Sequence, residues 1–317
     1  EAKDVVYDLI RWADIATESF APGAMKRLGF GYEVLSEINP GLIMLSSSLL
    51  GQSGPHSTLA GYGYMAAAIA GYYELTGWAD RPPAGPYGPY TDFLAPRVVV
   101  SSLMAALEKR RETGLGEYID LSQTECALHY LAPAILDQTV NGRTIQRAGN
   151  DDPNIFPHGV FPAQGDDSWL AIACSDDSWP RLAHLLKLDD LANADQTIRR
   201  EQRAAIHEQI NAWSAVRNST AAAEELQALG VAAYPVHDAA GTNSDPQLAH
   251  RQHQIRVPQS HAGQMWTHSC RTKMSRTPAV LNRGGPCLGE DNFEVLSELL
   301  GYSIDQIADL AAAEVLE

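Results

Sequence analysis

The stretch Gly85–Ser122 reads GPYGPYTDFLAPRVVVSSLMAALEKRRETGLGEYIDLS, and its pattern decides the fold. Glycines and prolines at its start indicate a turn, and apolar residues then recur at helical spacing until Gly114. The periodic positions are Leu94, Val98, Val99, Leu103, Met104 and Leu107. The apolar segment Tyr118–Leu121 then predicts a strand. A long helix that leads into a short strand is typical of an α/β fold.

Asp92 stands where this helix is predicted to begin, at the position of an N-cap. An N-cap carboxylate accepts backbone N–H bonds and lies at the positive end of the helix dipole, which favours its ionised form. Capping alone is a common use of Asp. Asp92 is therefore a catalytic candidate only if neighbouring motifs support that interpretation.

Several short blocks along the chain supply such support. They read ADIATESFAPG at residues 13–23, MKRLGFGY at 25–32, INPGLI at 38–43, GQSGP at 51–55, GNDDPN at 149–154 and PHGVFP at 157–162. In order and spacing they resemble the family III CoA-transferases of the CaiB/BaiF type, a group that includes formyl-CoA transferase and α-methylacyl-CoA racemase. The first block is similar to the family signature ADVVxENFxPG. The resemblance extends over essentially the whole chain.

The resemblance implies a Rossmann-like large domain with a parallel sheet, a smaller α+β domain, and two chains interlocked as a dimer. Strands and helices that alternate between Ala13 and Gly142 also favour an α/β fold with a parallel sheet. We expect residues 1–147 to form the first part of the large domain, 148–245 the small domain, and 246–317 the return to the large domain. The family's first strands are expected to precede residue 1.

The resemblance also implies the chemistry of Asp92. The matching family residue attacks an acyl-CoA to form an aspartyl anhydride, which CoA converts into an aspartyl-CoA thioester before the second acid takes over the CoA. Each step passes through a tetrahedral oxyanion, for which nearby backbone N–H groups are suitable donors. The candidate donor loops contain Gly51, Gln52 and Gly54, and, in the later domain, His158 and Gly159. The later loop departs from relatives that have a run of glycines there.

Contacts to coenzyme A are carried over position by position. Arg27 matches a family position that contacts CoA, and its guanidinium suits a phosphate group. Ser19 stands where Asn is usual and keeps one hydrogen-bond donor. Tyr62 is the common transferase residue at its position, and Ala60 lies where some members have a phosphate-contacting Lys. These matches predict coenzyme A, as part of the acyl-CoA substrate, and no metal.

Two other functions stay open at this point. The racemases have a Gly-His-Asp motif where this chain has Gly61-Tyr62-Gly63, which lacks both the His and the acid. Tyr is a poor base at pH 7 because its ordinary pKa is near 10, and this favours a transferase over a racemase. Many transferases have an acid at the position of Gly63. A non-catalytic or truncated family member that acts as a structural subunit is therefore the third alternative.

Composition limits the partners. A net charge of −16 over 317 residues argues against nucleic acid and against an anionic membrane surface. No apolar run reaches the ~20 residues that a membrane span needs. The 4 cysteines form no C-x-x-C pair, and the 10 histidines lack a metal-ligand spacing. We expect a cytoplasmic homodimer that acts on an acyl-CoA and a carboxylic acid.

Overall fold

The computed structural model describes residues 1–316. The chain forms two compact units, one of residues 1–147 with the segment from Pro286 onward, and one of Ala148–Gly285. The predicted domain limits assign residues 246–285 to the large domain, whereas this segment lies in the second compact unit. The domain limits themselves stay a prediction.

The first unit contains a parallel sheet. Its strands are β1 (Ile15–Glu18), β2 (Ile43–Ser48) and β3 (Tyr118–Ser122), in the order β1-β2-β3. Ile15 pairs with Ile43, and Met44 pairs with Tyr118. The central strand is almost entirely buried, as expected where helices cover both faces of a parallel sheet. The predicted α/β class with a parallel sheet is confirmed.

Helices connect these strands. Those before residue 148 are α1 (Ala2–Trp12), α2 (Ala24–Leu28), α3 (Tyr32–Ile38), α4 (Gly63–Ile69), α5 (Tyr72–Leu75), α6 (Tyr90–Thr113), α7 (Gln123–Tyr130) and α8 (Ala132–Asn141). Helix α6 ends as predicted, because Gly114 adopts the left-handed conformation with φ of 74°.

The start of α6 corrects one prediction. Pro89 is the N-cap, so Asp92 is the third helical residue and not the cap. The helix begins earlier because the two residues before Asp92 pack inward. Thr91 is fully buried, and the ring of Tyr90 packs edge-on against that of Tyr72 with centroids 5.1 Å apart. Asp92 still lies in the first turn, where a carboxylate is favoured by the helix dipole.

The second unit contains two antiparallel sheets. Strands β4 (His158–Pro162), β5 (Trp169–Ala173) and β6 (Ala232–Pro235) form one, and β7 (Gln254–Gln259) and β8 (Gly263–His268) form a hairpin. Its helices are α9 (Trp179–Leu185), α10 (Gln196–Glu201), α11 (Arg203–Ser214), α12 (Ser219–Ala228), α13 (Ala239–Ser244) and α14 (Pro246–His250). A continuous apolar core that includes Phe156, Leu170 and Trp179 joins the first sheet to its helices.

The C-terminal segment completes the first unit. It contains α15 (Asn292–Glu294), a π-helical turn at Val295–Leu299, and α16 (Ile304–Ala312). The Tyr302 hydroxyl donates a hydrogen bond of 2.5 Å to Asp8 on α1, which ties the two ends of the described chain together. Within residues 1–316, no helix is both long enough and apolar enough to cross a membrane.

Candidate active site

A pocket of about 300 Å³ opens at the carboxyl end of the parallel sheet. We call it the Asp92 pocket, and it is lined by Thr17, Glu18, Ser19, Leu45, Ser47, Asp92, Ala95, Pro96, Val99 and Gln123. Parallel strands all end at one edge, so residues that are distant in sequence meet there. Open α/β sheets bind their ligands at this edge.

The carboxylate of Asp92 is half-buried, and Gln123 lines the same pocket. Burial raises the pKa of Asp92 above its ordinary value, and the nearby backbone of Gly63 and side chain of Gln123 offset part of this rise because they favour the ionised form. Burial has the larger effect on this pKa.

Gly63 approaches Asp92 so closely that no side chain fits between them. A Cβ atom on this glycine would lie 2.8 Å from Asp92 Oδ1 and 2.8 Å from the carbonyl carbon and oxygen of Pro89. The acid that many transferases have at this position has no space in this arrangement. The glycine at position 63 thus permits the observed position of the Asp92 carboxylate.

The predicted coenzyme residues lie in different surroundings. Ser19 lines the Asp92 pocket, so the structure brings these two candidates together. Arg27 on α2 is exposed, and its Nη1 donates a 3.2 Å hydrogen bond to the carbonyl of Pro22. Tyr62 is the N-cap of α4 and is 81 % exposed. Their contacts to coenzyme A stay predictions.

The loop that contains Gly51, Gln52 and Gly54 is tied to the sheet. The backbone N–H of Gln52 donates to both carboxylate oxygens of Asp120, at 2.9 and 3.1 Å. The side-chain oxygen of Gln52 accepts a 3.1 Å hydrogen bond from the N–H of Gly23. The backbone N–H of Gln52 is thus already engaged within the fold, whereas its buried side-chain Nε2 has no hydrogen-bond partner among the described residues. An oxyanion role for the loop stays a prediction.

His158 and Gly159 begin strand β4 in the second unit. His158 Nδ1 lies 2.6 Å from the carbonyl oxygen of Asn150. Both residues line a cleft of about 470 Å³ over the antiparallel sheet, which we call the sheet cleft. Its other lining residues are Asn150, Val160, Ala171, Ile172, Ala173, Gln227, Ala232, Ala233 and Tyr234.

Sequence reasoning missed Gln123 as a residue that lines the Asp92 pocket. Its position in the sequence could have identified it, because Gln123 comes two residues after the end of the predicted strand Tyr118–Leu121. Residues that follow parallel strands lie at the ligand-binding edge of the sheet. Glu18, in the motif at residues 13–23, also lines the pocket, and the motif alone does not predict this. Within residues 1–316, no group of three or more His, Cys, Asp and Glu side chains is placed to hold a metal ion.

Comparison with known families decides the assignment. The family described as CoA-transferase family III matches residues 1–292. The chain belongs to CoA-transferase family III. The resemblance found in the sequence motifs is thus confirmed.

Two CoA-transferases from Chloroflexus aurantiacus are similar to this chain over its whole length. Succinyl-CoA–D-citramalate CoA-transferase is 32 % identical, and the match covers 100 % of this chain and 80 % of that protein. The β subunit of succinyl-CoA–L-malate CoA-transferase is 30 % identical with the same coverage. These relatives identify the chain as a transferase enzyme and support CoA transfer between acyl-CoA and carboxylic acids.

A solved structure supports the fold independently. A CaiB/BaiF family protein from Brucella suis superposes with a TM-score of 0.84 at 28 % identity, and the match covers 94 % of this chain and 78 % of that one. The family III CoA-transferase fold expected from the sequence is therefore confirmed.

Proposed function

We propose that this chain moves CoA from an acyl-CoA donor to a free carboxylic acid, with Asp92 as the nucleophile. The main support is the position of Asp92, whose half-buried carboxylate faces a pocket at the ligand-binding edge of the sheet. A carboxylate in such a place forms covalent intermediates that divide one difficult transfer into easier steps.

The reaction begins when an Asp92 oxygen attacks the thioester carbonyl. A C–O bond forms, the C–S bond breaks, and the products are an aspartyl anhydride and the CoA thiolate. The thiolate sulfur then attacks the Asp92 carboxyl carbon and expels the first acid. The incoming acid reverses these two steps, so Asp92 returns as a free carboxylate and a new acyl-CoA leaves.

The relatives suggest which substrates to test first. Their names contain succinyl-CoA as donor and D-citramalate or L-malate as acceptor. We therefore propose a small carboxylic acid as acceptor. We also propose Arg27, Ser19 and Tyr62 as CoA contacts, and Gly51, Gln52, Gly54, His158 and Gly159 as the loop residues to test for oxyanion stabilisation.

The assembly is part of the same proposal. We infer a cytoplasmic homodimer, because the family resemblance implies two interlocked chains. Light scattering on the purified protein tests this directly, since a monomer at micromolar concentration would contradict it. One relative is a named β subunit, so mass analysis of copurified chains should accompany the measurement.

The decisive experiment traps the intermediate. The purified protein is incubated with succinyl-CoA, glutaryl-CoA or acetyl-CoA in the presence of hydroxylamine, and the digested protein is analysed by mass spectrometry. Hydroxylamine converts an aspartyl anhydride or thioester into a stable hydroxamate, which we expect on Asp92. Asp92→Asn should abolish the label.

Asp137→Asn provides the matched control. This residue lies in the same unit and pairs at 2.6 Å with the exposed Arg143, so the same chemical change there should leave labelling intact. A folded protein that gains no label from any donor would refute the covalent mechanism and favour a non-catalytic subunit.

A further inference from the structure

A glutamine side chain connects the loop after β2 to the segment that contains two of the proposed CoA contacts, residues 19–28. The side-chain oxygen of Gln52 accepts a 3.1 Å hydrogen bond from the backbone N–H of Gly23. We propose that Gln52 is a positioning residue, which fixes this segment for coenzyme A and thereby sets the affinity for acyl-CoA. The inference rests on the proposed function, because it takes Ser19 and Arg27 as CoA contacts.

The segment depends on such a bond because it has little packing of its own. Its helix α2 has five residues, none of which is fully buried. The N-cap of α2 is Gly23, which has no side chain to accept a hydrogen bond from the first turn. At the other end, the Tyr7 hydroxyl donates a 3.3 Å hydrogen bond to the carbonyl of Gly29. Gln52 thus anchors the end of α2 that follows Ser19 and the Asp92 pocket.

The guanidinium of Arg27 lies directly beside the bonded glycine. Its Nη1 donates a 3.2 Å hydrogen bond to the carbonyl of Pro22, and a Cβ atom on Gly23 would lie 3.2 Å from the same nitrogen. The backbone N–H of Arg27 donates to the carbonyl of Gly23 at 3.0 Å. The backbone around Gly23 therefore sets the position of a cation that suits a CoA phosphate. A bond that fixes Gly23 fixes Arg27 as well.

Gln52 is itself fixed to the parallel sheet. Its backbone N–H donates to both carboxylate oxygens of Asp120 on β3, at 2.9 and 3.1 Å. Asp120 pairs with Ser46 on β2, the strand that leads into the loop. The contacts form one chain from the sheet through Asp120 and Gln52 to Gly23, which we call the Gln52 clasp.

The clasp uses only the oxygen of the Gln52 side chain. The oxygen accepts the bond from Gly23, whereas Nε2 is buried and has no hydrogen-bond partner among the described residues. A donor that stabilises an oxyanion must point at the substrate, but the backbone N–H of Gln52 points at Asp120. Nor is Gln52 among the described residues that line the Asp92 pocket. This geometry favours positioning over oxyanion stabilisation.

The two roles predict different kinetic effects. An oxyanion donor acts on the transition state alone, so its loss lowers kcat. A contact that positions the CoA site acts on the bound substrate and on the transition state alike. Its loss therefore raises KM and leaves kcat nearly unchanged.

Gln52→Met tests the clasp, because it keeps the length of the side chain and removes the accepting oxygen. Steady-state transfer from succinyl-CoA gives kcat and KM, and calorimetry with free CoA gives Kd. We expect both KM and Kd to rise about 5- to 10-fold, the scale of one lost hydrogen bond, with kcat within about twofold of wild type. By hydrogen exchange, the peptide that contains Gly23 should exchange faster, since its amide loses its acceptor.

Asp120→Ala interrupts the clasp one step earlier and keeps the Gln52 side chain. It should raise KM and Kd in the same direction, and it replaces Gln52→Met if that variant folds poorly. In the double variant, the rise should not exceed that of the weaker-binding single variant, because both changes interrupt one chain of contacts.

Gln138→Met is the matched control. It makes the same change on α8 in the same unit, where the Gln138 side-chain oxygen accepts a 2.6 Å hydrogen bond from Thr144. Its KM, its Kd and the exchange of the Gly23 peptide should equal those of the wild type.

The outcomes separate the inference from the proposed function. A lower kcat with unchanged KM and Kd would indicate an oxyanion role and overturn the inference. Wild-type Kd in Gln52→Met, or fully additive effects in the double variant, would also overturn it, and transfer by the wild type would leave the proposed function intact. A wild-type protein that neither binds CoA nor transfers it would refute both.

Discussion

The Asp92 pocket and the sheet cleft are two cavities built on two kinds of sheet. Three parallel strands end at the same edge, so polar residues from β1 and β2, together with Gln123 directly after β3, meet a carboxylate from α6. The antiparallel strands β4, β5 and β6 instead contribute one face, and the resulting cleft is lined mainly by alanine, valine and isoleucine. Topology thus concentrates reactive groups in the first unit and apolar surface in the second.

The largest effect on CoA transfer is expected when the most reactive side chain of each cavity is removed. Asp92→Asn should lower CoA transfer by at least about 10³-fold, because loss of a covalent nucleophile removes the reaction path. His158→Ala should cost less, about 10²-fold at most, the effect of one oxyanion donor. Steady-state transfer from succinyl-CoA measures both. A larger loss in His158→Ala would reverse the assignment of the two cavities.

A smaller loss is expected when a methyl group is added beside Asp92. In Gly63→Ala, the new Cβ would meet Asp92 Oδ1 and the Pro89 carbonyl at 2.8 Å, so the carboxylate or the backbone must move. A displacement of about 1 Å can cost about 10²-fold in rate, and we expect a loss of about that size in kcat.

Gly285→Ala in the second unit is the control for this substitution, because its Cβ would meet open space and its φ does not require glycine. Transfer by Gly285→Ala should stay within about twofold of wild type, the scale of a substitution that adds no contact. Full activity in Gly63→Ala would show that the close approach to Asp92 is dispensable.

The pH profile sharpens the description of the Asp92 pocket. The ionised carboxylate is the nucleophile, so the rate of adduct formation should fall as the pH drops through the pKa of Asp92. Burial raises this pKa, which moves the acid limb to a higher pH than that of an exposed Asp. Gln123→Met removes a side chain that favours the ionised form, so its limb should lie higher still. Hydroxamate formation across a pH series measures the shift.

The pattern of the sequence predicted much of the first unit. Strand β3 covers the predicted segment Tyr118–Leu121, and helix α6 stops at the predicted glycine. The segment that follows β3 forms two helices, α7 and α8, which are divided at Leu131 because Pro133 lacks the N–H needed to continue one helix. Periodicity identifies the apolar face of a helix, but it does not fix where a proline ends one helix and begins another.

The site was predicted less completely than the fold. Motif order identified Asp92 and Ser19, which do line one pocket. It did not identify Gln123, because the distance between two residues on different helices depends on how the sheet brings them together. Nor could it show that a Cβ atom at Gly63 would lie only 2.8 Å from Asp92 Oδ1.

The smallest expected effect concerns the stability of the second unit. His207 is half-buried between Phe156 and Phe161, and its Nε2 has no hydrogen-bond partner among residues 1–316. Burial, together with the charge of Arg203, lowers the pKa of His207. Below the ordinary His pKa of about 6.5, the unfolded chain therefore binds a proton at His207 more readily than the folded chain does. The free energy of unfolding has its full value above that pH and decreases as the pH falls below it.

His207→Phe removes this proton uptake and keeps an aromatic ring between the two phenylalanines. Its melting temperature should exceed that of the wild type by a few degrees at about pH 5.5, and the difference should shrink near neutrality, since ~1 kcal/mol corresponds to about 2–4 °C in a domain of this size. Calorimetry at the two pH values measures it. A constant difference would assign the effect to packing, because only titration of His207 makes it depend on pH. If the difference shrinks near neutrality as expected, the second unit responds to acid through a core histidine, whereas the Asp92 pocket responds through the reaction rate.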